Sequence, residues 1–110
     1  MSAVFGERAL LGQANGPEVE LVVSGSERYA SYETVAGFPA VYDNALGLFC
    51  YARVVEGSYQ STGVPVSAPP PTGLPLHARE ADDVRAEKIR RREASMERRA
   101  ANPTAKGVDR

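Results

Sequence analysis

The stretch Leu48–Thr62, which reads LFCYARVVEGSYQST, decides the fold because it contains two strand patterns joined by a tight turn. Apolar side chains occupy both alternating faces of Leu48–Val55, a pattern that predicts a central strand covered on both sides. Glu56-Gly57 is a two-residue turn of the kind that adopts positive φ, and the strand predicted to return from it is Ser58–Thr62. The sequence therefore predicts an antiparallel hairpin as the centre of its fold.

Strand patterns also precede this hairpin in the chain. Residues 18–24 alternate apolar and polar side chains, and a turn is expected around Gly25. The composition of Tyr29–Val35 favours a strand, although its two tyrosines would also suit one turn of helix. Phe38–Tyr42 predicts a further short strand, placed at an edge or a strand start by its proline. We therefore expect an antiparallel meander of four or five strands over residues 18–66.

The segments on either side of this meander have different compositions. Residues 1–17 contain three glycines and a proline, which favours an irregular N-terminal arm. Residues 67–77 form a Pro-rich linker in which three consecutive prolines predict a semi-rigid spacer. Residues 78–101 are strong helix formers without glycine or proline and predict a charged helix, while residues 102–110 are expected to be disordered. The fold class predicted is mainly β (α+β), with one C-terminal helix.

The charges and aromatic residues divide this 110-residue chain unevenly. The formal net charge is −1, but residues 1–77 carry three basic and seven acidic residues, whereas residues 78–110 carry ten basic and seven acidic residues. All eight aromatic residues lie between positions 5 and 59. Because aromatic side chains supply much of the area that a small core buries, the core must come from the first part of the chain. A core of this size is marginal, so we expect it to depend on a partner or on the C-terminal segment.

Composition also excludes several classes of protein. A lone cysteine, Cys50, excludes an intramolecular disulfide framework and a cysteine-based zinc finger. No apolar run approaches the roughly 20 residues that span a bilayer. The N-terminus has no basic start and no continuous apolar segment, so we expect no signal peptide. The chain is then cytoplasmic if it acts alone, is exported by another route, or is an internal piece of a longer protein. We expect no cofactor and no metal ligands.

No catalytic constellation stands out. Cys50 alternates with the apolar residues of its strand, which favours a small buried residue over a nucleophile. The single histidine, His77, lies across the linker and has no acid obviously placed to orient it, so we interpret it as a surface residue. The arginines of the predicted helix are interleaved with glutamates and have no aromatic neighbour, which favours a solvated helix over nucleic-acid binding. That helix either docks weakly on the meander, projects from it or leads to another domain. We therefore expect no enzyme.

Four segments together resemble a known family. They are Val23–Asp43 (VSGSERYASYETVAGFPAVYD), Gly47–Arg53 (GLFCYAR), Gly57–Val64 (GSYQSTGV) and Pro69–His77 (PPPTGLPLH). In this order they resemble the segment that precedes the catalytic domain in immune-inhibitor-A-type secreted zinc metallopeptidases, over about residues 18–92. Ser26 and Ala36 depart from the family pattern, which has Asp at both places.

The resemblance implies a role without catalysis. No H-E-x-x-H motif occurs in the sequence, so the zinc ligands of that family are missing from it. The expectation is a pro-region-like module whose partner is a zinc metalloprotease domain, and which assists its folding, covers or inhibits its cleft, or acts as a stand-alone partner. An inhibitor would place the linker or an edge strand in the cleft. Cys50 or His77 as a ligand to the zinc of the partner is a less favoured mode.

The residues expected to contact a partner are mainly aromatic and basic. They are Tyr29, Tyr32, Phe38, Tyr42, Tyr51, Leu74, His77, Arg91 and Arg92. An alternative hypothesis is a small scaffold or interaction protein whose basic C-terminal helix binds a partner helix or an anionic surface.

Overall fold

A computed structural model describes residues 4–26 and 28–101 of the chain. Within these described residues, six antiparallel strands form one sheet in which each strand pairs with its neighbours in sequence, and a single helix follows the last strand. The prediction of a mainly β fold with one C-terminal helix is confirmed. The elements are β1 (Val4–Gln13), β2 (Gly16–Ser26), β3 (Tyr29–Glu33), β4 (Pro39–Asp43), β5 (Leu48–Val55), β6 (Ser58–Pro65) and α1 (Asp82–Ala101).

Residues 4–13 form a strand, so the prediction of an irregular N-terminal arm is wrong for the described part of residues 1–17. The predicted meander over residues 18–66 contains five strands, β2 to β6, and β1 adds a sixth strand to the sheet. Strand β1 pairs with β2 through partners such as Leu11 and Val19. Register shifts lie between Val4 and Glu7 and between Leu11 and Gln13, the two intervals that contain glycines. The glycines therefore bend this strand at bulges and do not interrupt it.

The end of the β1–β2 hairpin contacts the chain at the start of β5. The Asn15 N–H donates to the Gly47 carbonyl at 3.0 Å, and the Phe49 N–H donates to Gln13 Oε1 at 2.6 Å. These bonds hold the hairpin end against the start of β5. The core enclosed on this face consists of Leu21, Ala40 and Phe49, with Leu11, Val19, Tyr32, Tyr42 and Val66 packed around it.

Strand β5 has the predicted bounds and is covered on both faces. Four consecutive residues of the strand are buried, and since their side chains alternate between the two faces, both faces are covered. They are Phe49, Cys50, Tyr51 and Ala52. The strand is fifth of six in the sheet, so its predicted central position is wrong, while its burial is confirmed. The turn after it has φ values of 52° and 80° at its two central residues, as the sequence predicted.

The Pro-rich segment is not a spacer, because it packs back along the sheet. The Tyr51 hydroxyl donates to the carbonyls of Ala68 at 2.6 Å and Val66 at 3.3 Å. Leu74 is buried, and the His77 N–H donates to the Gly37 carbonyl at 2.8 Å. Helix α1 consequently begins only at Asp82, four residues after its predicted start. The predicted disordered tail over residues 102–110 lies outside the described residues.

Candidate functional site

A buried carboxylate lies on the sheet face opposite the core. Glu80, just before α1, is 3% exposed. Its Oε1 accepts a hydrogen bond from the Tyr29 hydroxyl at 2.8 Å, and its Oε2 accepts one from the Tyr59 N–H at 2.7 Å. The Ser58 hydroxyl at 3.3 Å and Lys88 Nζ at 2.6 Å complete the set of donors to Oε2. The carboxylate thus joins β3, β6 and α1.

This environment keeps Glu80 ionised. Burial alone would raise the pKa of Glu80, but hydrogen bonds from Lys88, from the Tyr59 N–H and from Tyr29 together hold that pKa below its ordinary value. Burial and the nearby carboxylate in turn raise the pKa of Tyr29. An ionised carboxylate that accepts four hydrogen bonds and is closed to solvent has no role as a general base. Its chemical role is to hold the segment that carries it.

Two further contacts fix the segment around Glu80. The Tyr59 hydroxyl donates to the Ala78 carbonyl at 2.8 Å, and the Ala81 N–H donates to the Gly57 carbonyl at 2.8 Å. Gly57 permits this close approach, because a Cβ there would lie 2.9 Å from the Ala81 Cβ. The end of the β5–β6 hairpin therefore holds the residues that lead into α1.

The residues just before this anchored segment form an exposed loop. Residues 75–79, called the Leu76 loop below, lie between buried Leu74 and buried Glu80. Pro75, Leu76 and His77 are consecutive exposed residues, and Leu76 is 52% exposed. The loop thus presents an apolar side chain and an imidazole to solvent while both of its ends are held.

His77 is fixed within the loop by its backbone conformation and by two side-chain contacts. Its backbone has φ of 56°, a left-handed conformation that few non-glycine residues adopt. Its Nδ1 lies 3.1 Å and 3.2 Å from the two carboxylate oxygens of Glu33. Its ring packs on Gly37, where an added Cβ would lie 2.8 Å from Cε1. The side chain nevertheless remains 69% exposed.

A groove of about 320 Å³ lies beside the loop, and we call it the His77 groove. Its floor is formed by side chains of β2 and β3, and Tyr59 reaches it from β6. Phe5 contributes from the N-terminal strand and is 85% exposed. The imidazole of His77 and the charged side chains of Glu33, Arg79 and Arg85 also line it.

The predicted contact residues do not form one surface, because the sheet separates them. Tyr32 and Tyr42 make edge contacts with Phe49, at ring-centroid distances of 5.5 and 5.0 Å, and belong to the core face. Phe38 contacts Tyr51 in the same geometry at 5.9 Å. Tyr29 lies on the opposite face with Glu80. These aromatic side chains chiefly hold the fold together.

Two of the predicted contact residues are closed to a partner. Tyr51 is 4% exposed and Leu74 is 7% exposed, so their assignment as contact residues is wrong for the folded module. Leu74 belongs to the Pro-rich segment and is buried where that segment packs on the sheet, and the Tyr51 hydroxyl is bonded to the start of the same segment. Of the predicted contact residues, His77 is the one that lies on the exposed Leu76 loop.

The two predicted arginines lie on α1 and away from the His77 groove. Arg91 Nε donates to Glu87 Oε2 at 3.0 Å, and Arg90 also pairs with Glu87. Arg92 is exposed and lines a shallow depression that also contains Tyr29 and Lys88. The basic face of the helix is therefore partly neutralised by its own glutamate.

Cys50 is fully buried beneath a contact between β4 and β6. The Ser61 hydroxyl donates to Asp43 Oδ2 at 2.7 Å, and this bond lowers the pKa of Asp43. Burial raises the pKa of the Cys50 thiol. The predicted interpretation of Cys50 as a small buried residue is thus confirmed, and the folded chain cannot offer its sulfur to the metal of a partner.

Sequence reasoning did not find the residues that build this site, namely Glu33, Leu76 and Glu80. Glu80 lies in a run of charged helix formers, where an acidic residue is normally solvated. Glu33 lies near the end of a predicted strand, where nothing in the neighbouring sequence indicates a pairing with His77. The available sequence signal was the order Leu74, Leu76, His77. Because Leu74 is buried, it sets the direction in which the following residues leave the core.

Comparisons with known proteins add no assignment to this geometry. No protein-family model matches the chain, and no curated protein or solved structure matches it either. Within residues 4–26 and 28–101, no group of three or more His, Cys, Asp or Glu side chains is arranged to hold a metal ion. Across that same part of the chain, no helix has both the length and the apolar character needed to cross a membrane.

Proposed function

We propose that this chain is a non-catalytic, pro-region-like module that associates with a zinc metalloprotease domain and covers its cleft with the Leu76 loop. The resemblance of Val23–His77 to the segment that precedes the catalytic domain in immune-inhibitor-A-type metallopeptidases supports the choice of partner. The loop geometry supports the mode of action.

The observation that carries the proposal is that the Leu76 loop is exposed but held at both ends. Leu74 is buried on one side of it, and Glu80 accepts four hydrogen bonds on the other. A loop already held in one conformation loses little conformational entropy on binding. An exposed leucine on such a loop suits an apolar subsite of a protease cleft.

The loop is a better candidate for the cleft than the edge strand β1. Leu10 and Phe5 on β1 are also exposed apolar residues. However, bulges interrupt the register of that strand at two places. Bulges twist an edge away from regular pairing and so disfavour addition of another strand. The Leu76 loop does not depend on strand pairing, because the bond between the His77 N–H and the Gly37 carbonyl fixes it.

Calorimetric titration of the intact chain into the catalytic domain of an immune-inhibitor-A-type metallopeptidase tests the proposal. We expect micromolar or tighter binding that Leu76→Asp weakens at least about tenfold, because a charge would enter an apolar subsite. Leu10→Asp is the matched control, since Leu10 is 66% exposed and lies on β1. It should change the affinity less than about twofold.

Each other outcome of this titration has a definite meaning. Absence of binding at tens of micromolar would contradict the proposed function. Loss of binding in the Leu10 variant, with the Leu76 variant unaffected, would assign docking to the β1 edge and overturn the role of the loop.

A further inference from the structure

We infer that the His77 groove binds a carboxylate that is carried on a small apolar group, and that the guanidinium groups of Arg79 and Arg85 hold this carboxylate. The groove lies on this chain alone. The inference therefore goes beyond the proposed association with a protease and does not depend on it.

The guanidinium of Arg85 is held in place but its charge is only partly compensated. It pairs with the carboxylate of Asp82, whose side chain is 93% exposed. Among the described residues, Arg85 Nε has no hydrogen-bond acceptor, and it is closed to water. A buried donor without an acceptor is costly, and this one belongs to a charged group. An anion in the groove that Arg85 lines would supply part of the missing compensation.

Arg79 brings a second guanidinium to the same groove from the Leu76 loop. The backbone on both sides of Arg79 is fixed, since the Ala78 carbonyl accepts a hydrogen bond from Tyr59. On the other side, Glu80 is buried. Within residues 4–26 and 28–101, Arg79 forms no ion pair, so its donors are available to a ligand. Guanidinium groups bind carboxylates through two parallel N–H bonds, which gives the pairing its specificity.

Part of the groove is apolar, because Phe5, Tyr29 and Tyr59 line it. The side chain of Phe5 is 85% exposed. The backbone beside it is tied to β2, since the Gly6 N–H donates to the Ser24 hydroxyl at 2.9 Å. A ligand that covers the Phe5 ring removes apolar area from water, which favours binding. We therefore expect the ligand to carry an apolar or aromatic group beside its carboxylate.

The charge and size of the groove favour a small monoanion. The two guanidinium groups and the carboxylate of Glu33 leave one positive charge in the lining, and Asp82 lies outside it. This balance suits a single carboxylate, whereas the dianion of a phosphate monoester would bring two negative charges close to Glu33. A volume of about 320 Å³ lies at the lower end of the range for ligand pockets, so the ligand is small.

Titration of the full chain with 3-phenylpropanoate, followed by NMR, tests the inference. This probe carries one carboxylate and one aromatic ring, and its primary amide is the neutral control. His77 is the only histidine of the chain, so its imidazole resonances report on the groove without ambiguity. We expect these resonances to shift saturably. The acid should bind at least about tenfold more tightly than the amide, because a hydrogen bond between charged groups is stronger than one to a neutral acceptor.

The C-terminus of a peptide offers the same chemistry, so N-acetylphenylalanine is the second probe. Its acetamido group takes the place of the preceding peptide bond. Tighter binding of N-acetylphenylalanine than of 3-phenylpropanoate would identify a chain end as the ligand, and the reverse order would identify a free acid. Both orders support a carboxylate site.

Charge-matched variants distinguish the groove from the general attraction of an anion to a basic surface. Arg85→Gln should weaken binding of 3-phenylpropanoate about tenfold. Arg91→Gln removes the same charge from the exposed surface of α1 and should change the affinity less than about twofold. Glu33→Gln keeps an acceptor for His77 and should strengthen binding about threefold, because it removes a like charge from the lining. Urea unfolding establishes that each variant is folded under the titration conditions.

Three results would overturn the inference. The first is equal affinity for the acid and its amide. The second is equal weakening in Arg85→Gln and Arg91→Gln, since net charge alone would then attract the anion. The third is weaker binding in Glu33→Gln, because the carboxylate would then lie away from the groove. The titrations contain no protease, so their failure would leave the proposed function standing.

Discussion

The phenol of Tyr29 donates a hydrogen bond to Glu80 Oε1 at 2.8 Å and so joins residues 51 positions apart in the chain. Tyr29 belongs to β3, whereas Glu80 follows the Pro-rich segment. Their contact, with those of Tyr59 and Lys88, turns a sheet, a linker and a helix into one structural unit. The exposed Leu76 loop owes its fixed position to this unit.

Loss of the Glu80 carboxylate should be among the most destabilising single changes in this chain. Glu80→Ala leaves the Tyr59 N–H and the Tyr29 hydroxyl without their acceptor, and these unsatisfied donors cost about 2–3 kcal/mol. Glu80→Gln keeps the shape and should cost about 1–2 kcal/mol. Urea unfolding measures both, and Glu87→Ala on the helix surface should cost less than about 0.5 kcal/mol. Equal stabilities of the Glu80 and Glu87 variants would contradict the anchoring role.

Acid should weaken the fold through the same group. The pKa of Glu80 is lower in the folded chain than in the unfolded chain, so the unfolded chain binds more protons at low pH. The stability is therefore present above the unfolded pKa of about 4.3 and is lost as pH falls through the folded pKa. Urea unfolding between about pH 6 and pH 2 should show this decrease in native protein and a shallower one in Glu80→Gln. Parallel curves would show that Glu80 does not carry the acid sensitivity.

Alanine variants at two glycines distinguish the effect of backbone strain from the effect of packing. Gly57 and Gly63 have nearly equal φ values, +80° and +79°, so alanine is similarly strained at both. A Cβ at Gly57 would lie 2.9 Å from the Ala81 Cβ, whereas a Cβ at Gly63 meets nothing within 4 Å. Gly57→Ala should therefore lower the free energy of unfolding by roughly 1 kcal/mol more than Gly63→Ala. Thermal unfolding of both variants measures this difference. Equal stabilities of the two variants would contradict the close contact between the hairpin end and Ala81.

The Cys50 thiol should be unreactive in the native chain. It is fully buried, and burial raises its pKa, so both access and thiolate content are low. Alkylation by iodoacetamide, followed by mass spectrometry, should be at least about 100-fold slower in buffer than in denaturing urea. Rapid native labelling would show that β5 is open to solvent.

The sequence predicted strands where the alternation is strong and missed one where glycines obscure it. Leu48–Val55 is correct to the residue because both of its faces are apolar and a glycine-containing turn ends it. Strand β1 was missed because Gly6 and Gly12 resemble loop punctuation, although the pairing with β2 absorbs them as bulges. The composition of β1 alone does not show that β2 is available to pair with it.

The site was harder to predict than the fold, since it depends on contacts between distant residues. The propensities of the Pro-rich segment describe an isolated chain, and they do not show that Leu74 finds a place in the core. The pairing of Glu33 with His77 spans 44 positions, and nothing near either residue indicates it. Only the three-dimensional fold brings the imidazole and its orienting carboxylate together.

The central claim is that the Leu76 loop occupies the cleft of a zinc metalloprotease domain. Its most direct test is the hydrolysis of a fluorogenic peptide by an immune-inhibitor-A-type catalytic domain at several substrate concentrations, with and without the intact chain. The account predicts competitive inhibition, in which KM rises while kcat stays constant, and its loss in Leu76→Asp. Binding of the chain with unchanged hydrolysis, or inhibition that lowers kcat at constant KM, would contradict it.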